Sequence, residues 1–270
     1  IHFKISICGN GLKDIVQTYQ YLYEVKLEPS FNIVSKSNSL PDEYDIQIVA
    51  PDGNASRVCV IDSGIQENHR LIELSIDHKS SRSYVNGEAS VADYVKQSGH
   101  GTKVAGAVLY PVNIPKTGEV KLESIIQNAR ILDKNNQIAT NKFEPSLMAQ
   151  IVSDYSETRI FNLSVSEDIS YQGTHMPALA ASLDKLIHEN DILFIVAAGN
   201  LYTSSNHPFN KGIKEHLSSG KNYPSYLNED ESKLANPGVS YFSITVGSIA
   251  KENFEDNDYK SIAGRDYISP

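Results

Sequence analysis

The chain has 270 residues, enough for one large α/β domain with a substantial core. Its 24 basic and 33 acidic residues leave a net charge of −9 and no basic stripe, which argues against nucleic acid as a partner. No apolar run reaches membrane-span length, no signal peptide is visible, and Cys8 and Cys59 make no disulfide framework, so a reducing, cytoplasmic setting without membrane or cofactor is the expectation.

Residues 3–8 alternate like a half-buried strand. Gly9-Asn10-Gly11 reads as a turn, and apolar residues from Leu12 to Tyr23 recur at helical spacing, predicting a helix over 12–25. Extended stretches follow near 31–35 and 45–49, and Pro51-Asp52-Gly53-Asn54 breaks the chain. Residues 1–50 are thus expected to form a small β-α-β-like appendage, with residues 51–270 as the main domain. The appendage reads either as an inhibitory pro-segment or as a companion domain that docks a partner protein. The absence of a clear processing signal at Pro51-Asp52-Gly53 favours the second.

Beyond residue 55 apolar strands alternate with helices. Strands are expected at 57–62, 128–132, 159–165, 191–198 and 241–247, and helices at 100–110, 145–155 and 177–189. Pro145 and Pro177 stand where a first helical turn tolerates proline. Strands apolar at nearly every position suit a sheet covered on both faces, so the fold class is α/β with a doubly wound, mostly parallel sheet. Residues 201–240, rich in Ser, Asn, Gly, Pro and Lys, read as a long exposed insertion, and 250–270 as a polar loop. The acidic run Asn228-Glu229-Asp230-Glu231 reads as solvated loop, because no EF-hand spacing surrounds it.

Three residues carry the chemistry. Val-Cys-Val-Ile-Asp-Ser-Gly, residues 58–64, ends a buried strand on Asp62. In open α/β sheets the functional crevice lies beyond the carboxyl ends of the strands, so the strand delivers Asp62 there. Ser-Gly-His-Gly-Thr, residues 98–102, sets His100 at a helix start, where the dipole disfavours an imidazolium. A carboxylate on the other ring nitrogen offsets that penalty and fixes the tautomer. Ile-Val-Ala-Ala-Gly-Asn, residues 195–200, ends another buried strand on Asn200, whose amide is suited to stabilise an oxyanion. Taken singly, Asp-Ser-Gly is a good turn and Asn200 a common turn residue. Their occurrence together, each at a strand end or helix start of one alternating pattern, points to a site.

In that order, "VIDSGI", "GHGTKVAG", "IFNLSVS" and "VAAGN" resemble the subtilisin-like serine proteases, or subtilases, over roughly residues 55–250. The resemblance implies peptide-bond hydrolysis, with Asp62 orienting His100, His100 acting as general base and then acid, and Asn200 contributing to the oxyanion hole. It further implies that Ser164, Val165 and Ser166 form an edge that pairs with substrate backbone, while Ala198 and Gly199 line the pocket wall opposite. Two departures stand out. Ser166 and Glu167 replace the usual glycines of that edge. Gly-Thr occurs only at 101–102 and 173–174, neither followed by the nucleophilic serine, which is therefore expected beyond residue 270.

A serine endopeptidase acting on peptides or proteins is the leading expectation. The 270-residue chain alone should then be inactive. The alternatives are a nucleophile-less subtilase-like module that binds peptides or proteins, and a metal-dependent hydrolase using Asp62 and His100. The last lacks a convincing further ligand set, since the remaining histidines are scattered.

Overall fold

The structure, a computed structural model, describes residues 3–22, 25, 31–32, 45–95, 99–138, 142–202, 204–205 and 210–247. In chain order the principal elements are α1 (Gly9–Thr18), β1 (Phe31–Asn32), β2 (Asp45–Val49), β3 (Ser56–Asp62), β4 (Arg82–Ser83), α2 (His100–Leu109), β5 (Thr117–Lys121) and β6 (Ser124–Arg130). There follow α3 (Glu144–Asp154), β7 (Ile160–Leu163), β8 (Ser166–Glu167), α4 (Ala178–Asn190), β9 (Leu193–Ala197), α5 (Ile213–Ser218) and β10 (Ile244–Val246).

Six strands form one sheet in the order β10-β9-β7-β3-β6-β4, and every pairing in it is parallel. The sheet begins with β3, followed by the edge strand β4 and then β6 between the two, after which the chain crosses to build β7, β9 and β10 outward on the other side. The strand order therefore reverses at β3, and Asp62 ends that strand at the position where such folds open a crevice. The expected fold class is the one found.

Successive residues of β3 point to opposite faces, which explains why the strand is apolar throughout. Cys59 and Ile61 pack with Leu147, Ile151 and Leu183 of α3 and α4 in one core. Val58 and Val60 pack with Ala105 of α2 and Ile126 in a second core, with Ile46, Ile48 and Val120 against it. Those last residues belong to β2 and β5, which pair with each other in parallel. Burial and ladder together hold β3 by both faces and both edges, so Asp62 ends a strand that is fixed on every side.

Several local expectations are corrected. Residues 3–8 take no regular secondary structure, and Phe3, Ile5 and Ile7 are all exposed, so their alternation marks no buried face. The helix expected over 12–25 begins earlier, at Gly9, and ends at Thr18. The stretch 201–240 is not simply an exposed insertion: α5 lies within it, Ile213 and Tyr226 form a small buried cluster, and Ala235 is buried. Residues 33–35 of one expected strand, Ser98 of the His100 motif and the loop expected at 250–270 lie outside the described residues. Among the described residues no helix is long and apolar enough to cross a membrane.

Candidate active site

Asp62 is fully buried at the end of β3. Its Oδ1 accepts hydrogen bonds from the Ser63 backbone N–H at 2.7 Å and lies 3.0 Å from the Ser63 hydroxyl. His100 opens α2, preceded by Gly99 in a left-handed conformation, φ 56°. Its Nδ1 lies 2.9 Å from both Oδ1 and Oδ2 of Asp62. A carboxylate only accepts, so Nδ1 carries the proton and Nε2 is the basic nitrogen. The carboxylate also answers the helix dipole, which alone would oppose a cation at this end of α2. Imidazole and carboxylate, brought from 38 positions apart, thus form the hydrogen-bonded pair that the sequence suggests.

Close approach of α2 to the end of β3 makes that geometry. A Cβ on Gly101 would stand 2.2 Å from the Gly64 carbonyl oxygen and 3.2 Å from Asp62 Cβ. Both contacts are to fixed groups, so α2 would have to retreat from β3. Gly101→Ala is expected to lower stability by about 1–3 kcal/mol, the usual cost of overpacking. Thermal unfolding of the variant measures this; an unchanged midpoint would mean that α2 is free to shift. Two hydrogen bonds tighten the same junction, from Gly101 N–H to Ser63 Oγ at 3.3 Å and from Gln66 N–H to Thr102 Oγ1 at 2.9 Å.

The remaining expected residues leave neighbouring strands on the same side. Ile61 is in register with Leu163, and Leu163 with Val196. The segments after β7 and β9 therefore emerge beside Asp62, at roughly 5 and 10 Å by the usual strand spacing. Ser164 is half-buried and donates to Asn162 Oδ1 at 2.9 Å; Val165 and Ser166 are buried. Ser166 Oγ has no hydrogen-bond partner among the described residues. Phe31–Asn32 pair antiparallel with Ser166–Glu167, so this edge already takes an added strand from the chain itself. Glu167, in place of a small residue, accepts a 2.6 Å hydrogen bond from Asn236 Nδ2.

On the opposite side, Ala198 donates to the Val246 carbonyl and accepts from the Ala235 N–H at 2.8 Å. Gly199 has φ +114°, and a Cβ there would stand 2.8 Å from the Ala235 Cβ, so both conformation and space demand glycine. That turn leaves Asn200 exposed just past the strand end.

Sequence reasoning missed Asp93 and saw Ser63 only as part of a good Asp-Ser-Gly turn. Asp93 is 7% exposed, and its Oδ2 lies 2.9 Å from Ser63 Oγ. It also missed a second histidine–carboxylate pair, His78 Nδ1 to Glu67 Oε2 at 2.8 Å, with Glu67 Oε1 accepting from the buried Asn128 at 2.8 Å. Among the described residues no three His, Cys, Asp or Glu side chains converge as a metal site.

A model of the subtilase family matches residues 53–264. The uncharacterized protein y4bN of Sinorhizobium fredii is 32% identical over 118 residues, which is 42% of this chain and 26% of that protein. Among solved structures, the epidermin leader peptide processing serine protease EpiP of Staphylococcus aureus aligns with 18% identity and a TM-score of 0.46, covering 74% of this chain and 48% of its own. The nisin leader peptidase NisP of Lactococcus lactis aligns with 16% identity and a TM-score of 0.44, covering 75% and 58%. The chain thus spans about a quarter of that Sinorhizobium relative and about half of EpiP. By the match of more than three-quarters of its length, the chain belongs to the subtilase family.

Proposed function

We propose that this chain carries the Asp–His pair and the oxyanion-hole amide of a serine endopeptidase, with the nucleophilic serine contributed from outside residues 1–270. The observation that carries the proposal is His100 Nδ1 held 2.9 Å from both oxygens of a fully buried carboxylate. Asp62 fixes the tautomer and stabilises the imidazolium that forms, leaving Nε2 to take the serine proton and return it to the leaving amine. Asn200 donates to the carbonyl oxygen as charge develops there. The substrate is a peptide or protein that lies extended between Ser164–Ser166 and Ala198–Gly199. The pairing of Phe31–Asn32 with Ser166–Glu167 supports the view that this edge accepts a strand by backbone hydrogen bonds.

The test is a fluorophosphonate probe on the full-length gene product. We expect one serine beyond residue 270 to be labelled, and labelling to disappear in His100→Ala. The 270-residue chain should neither label nor hydrolyse peptides beyond the roughly 10³–10⁴-fold acceleration over water that a site lacking a triad member retains. A full-length protein that binds peptides but never labels would make the chain a binding module. Hydrolysis abolished by a chelator, again without labelling, would make it a metallohydrolase.

A further inference from the structure

We propose that Asp93 is a positioning residue for the Asp62–His100 pair, acting through the Ser63 hydroxyl, whose single proton it attracts or turns away according to its own charge. The geometry is that of one donor between two carboxylates. Ser63 Oγ lies 3.0 Å from Asp62 Oδ1 and 2.9 Å from Asp93 Oδ2, and all three residues are buried. One lone pair of Oγ is engaged by the Gly101 N–H. A hydroxyl has one proton, so it cannot serve both carboxylates. With both ionised, one carboxylate oxygen would face a hydroxyl lone pair at about hydrogen-bond distance, with no proton between them.

A proton on Asp93 resolves this. Asp93 then donates from Oδ2 to Ser63 Oγ, and Ser63 donates to Asp62 Oδ1. When Asp93 releases that proton to solvent, the hydroxyl turns to Asp93, and Asp62 keeps the Ser63 N–H and His100 as donors but loses this one. The hydrogen bond from His100 to Asp62 must therefore differ between the two states.

The surroundings favour the protonated form over a wider range than an ordinary carboxyl. Burial raises the Asp93 carboxyl above its usual value and Asp62 adds to the rise, while hydrogen bonds with the Val95 and His100 backbone and the Ser63 side chain oppose it. Because the folded chain holds this proton more tightly than the unfolded one, its contribution to stability is full below the ordinary carboxylate range. That contribution is lost as pH rises through the folded value.

Among the described residues, the ionisable side chains beside Asp93 are those of Asp62 on β3 and His100 on α2. Arg130 is fully buried and anchors the loop that bears Asp93: it donates to the Ser90 carbonyl at 2.9 Å and to Glu88 Oε2 at 2.7 Å, and lies 5.2 Å from the centre of the Tyr94 ring. Its charge is answered by Glu88, so it positions Asp93 without being its counter-ion.

This inference rests on the hydrolytic reading only for its consequence, and its test needs no turnover. The ring nitrogens of His100 are followed by ¹⁵N NMR against pH in the 270-residue chain, assigned among its eight histidines by a His100→Gln variant. The expected curve has two inflections, the protonation of His100 itself and a second one linked to Asp93. In Asp93→Asn, whose amide imitates the protonated acid by donating to Ser63, the second inflection should vanish while the amide spectrum stays dispersed. In Ser63→Ala it should shrink, and this variant decides the matter if Asp93→Asn does not fold. A single inflection in the unaltered chain, or two that persist unchanged in either variant, would overturn the proposal and leave the dyad reading untouched.

Discussion

Replacing His100 with alanine in the full-length protein is expected to lower kcat by on the order of 10⁶, the loss that removal of a triad base produces when the residues act as a unit. Asp62→Asn should cost about 10⁴, through the tautomer rather than through position. The Ser63 backbone N–H donates to Asp62 Oδ1 at 2.7 Å and requires an acceptor there. An asparagine would therefore keep its oxygen at that site and place its amide nitrogen at the Oδ2 site, also 2.9 Å from His100 Nδ1. Two donors cannot face each other, so the imidazole would shift its proton to Nε2, the nitrogen that must accept from the serine. KM should change little in either variant, because neither group is asked to bind ground-state substrate. A loss of less than tenfold in kcat for Asp62→Asn, measured on folded protein, would remove the pair from the chemistry.

The legible parts of this fold share a physical cause. Strand β3 is buried on both faces from Val58 on, and β7 and β9 alternate buried with half-buried residues, so nearly every residue is apolar and the strands announce themselves as short continuous runs. Helices α3 and α4 begin beside Pro145 and Pro177, whose fixed geometry suits a first turn. Legibility falls where a contact comes from far away. Strand β6 was expected at 128–132 but runs from Ser124 to Arg130: the polar Gln127 masked its first half, and Gln127, Asn128 and Arg130 are all polar yet buried. Their partners lie elsewhere, Thr158 for Gln127, Glu67 and Val91 for Asn128, and Glu88 and Ser90 for Arg130, so no local pattern reveals that they belong inside.

The other misses follow the same logic. Phe3, Ile5 and Ile7 alternate as a strand should, but a strand needs a partner as well as a pattern. Ile213, Tyr226 and Ala235 are too sparse among polar neighbours to show a period, although each is buried. For the candidate site, the Asp62–His100 pair was readable because one residue ends β3 and the other opens α2, while Asn200 follows the Gly199 turn beyond β9. Asp93 sits in a loop 30 positions from Ser63 and carries no such mark.

Asn200→Ala in the full-length protein is expected to lower kcat by on the order of 10²–10³, with KM nearly unchanged. The register that sets Leu163 beside Ile61, and Val196 beside Leu163, brings the segment after β9 to the same end of the sheet as Asp62. Gly199 then turns the chain with φ +114° against Ala235, and Asn200 follows it into solvent. An exposed amide beyond a rigid strand end gains little for folding but is available to a ligand. It matters most when charge appears on the substrate carbonyl oxygen, so its loss raises the barrier and spares the ground state. The competing role is structural, with Asn200 holding the turn before Leu201, which packs against the Ile213–Tyr226 cluster. That role predicts a lower unfolding midpoint and normal turnover in whatever enzyme remains folded. Measuring kcat and the midpoint on one preparation separates the two: a fall in kcat at constant midpoint assigns Asn200 to the oxyanion, whereas lost stability with normal turnover removes it from the chemistry.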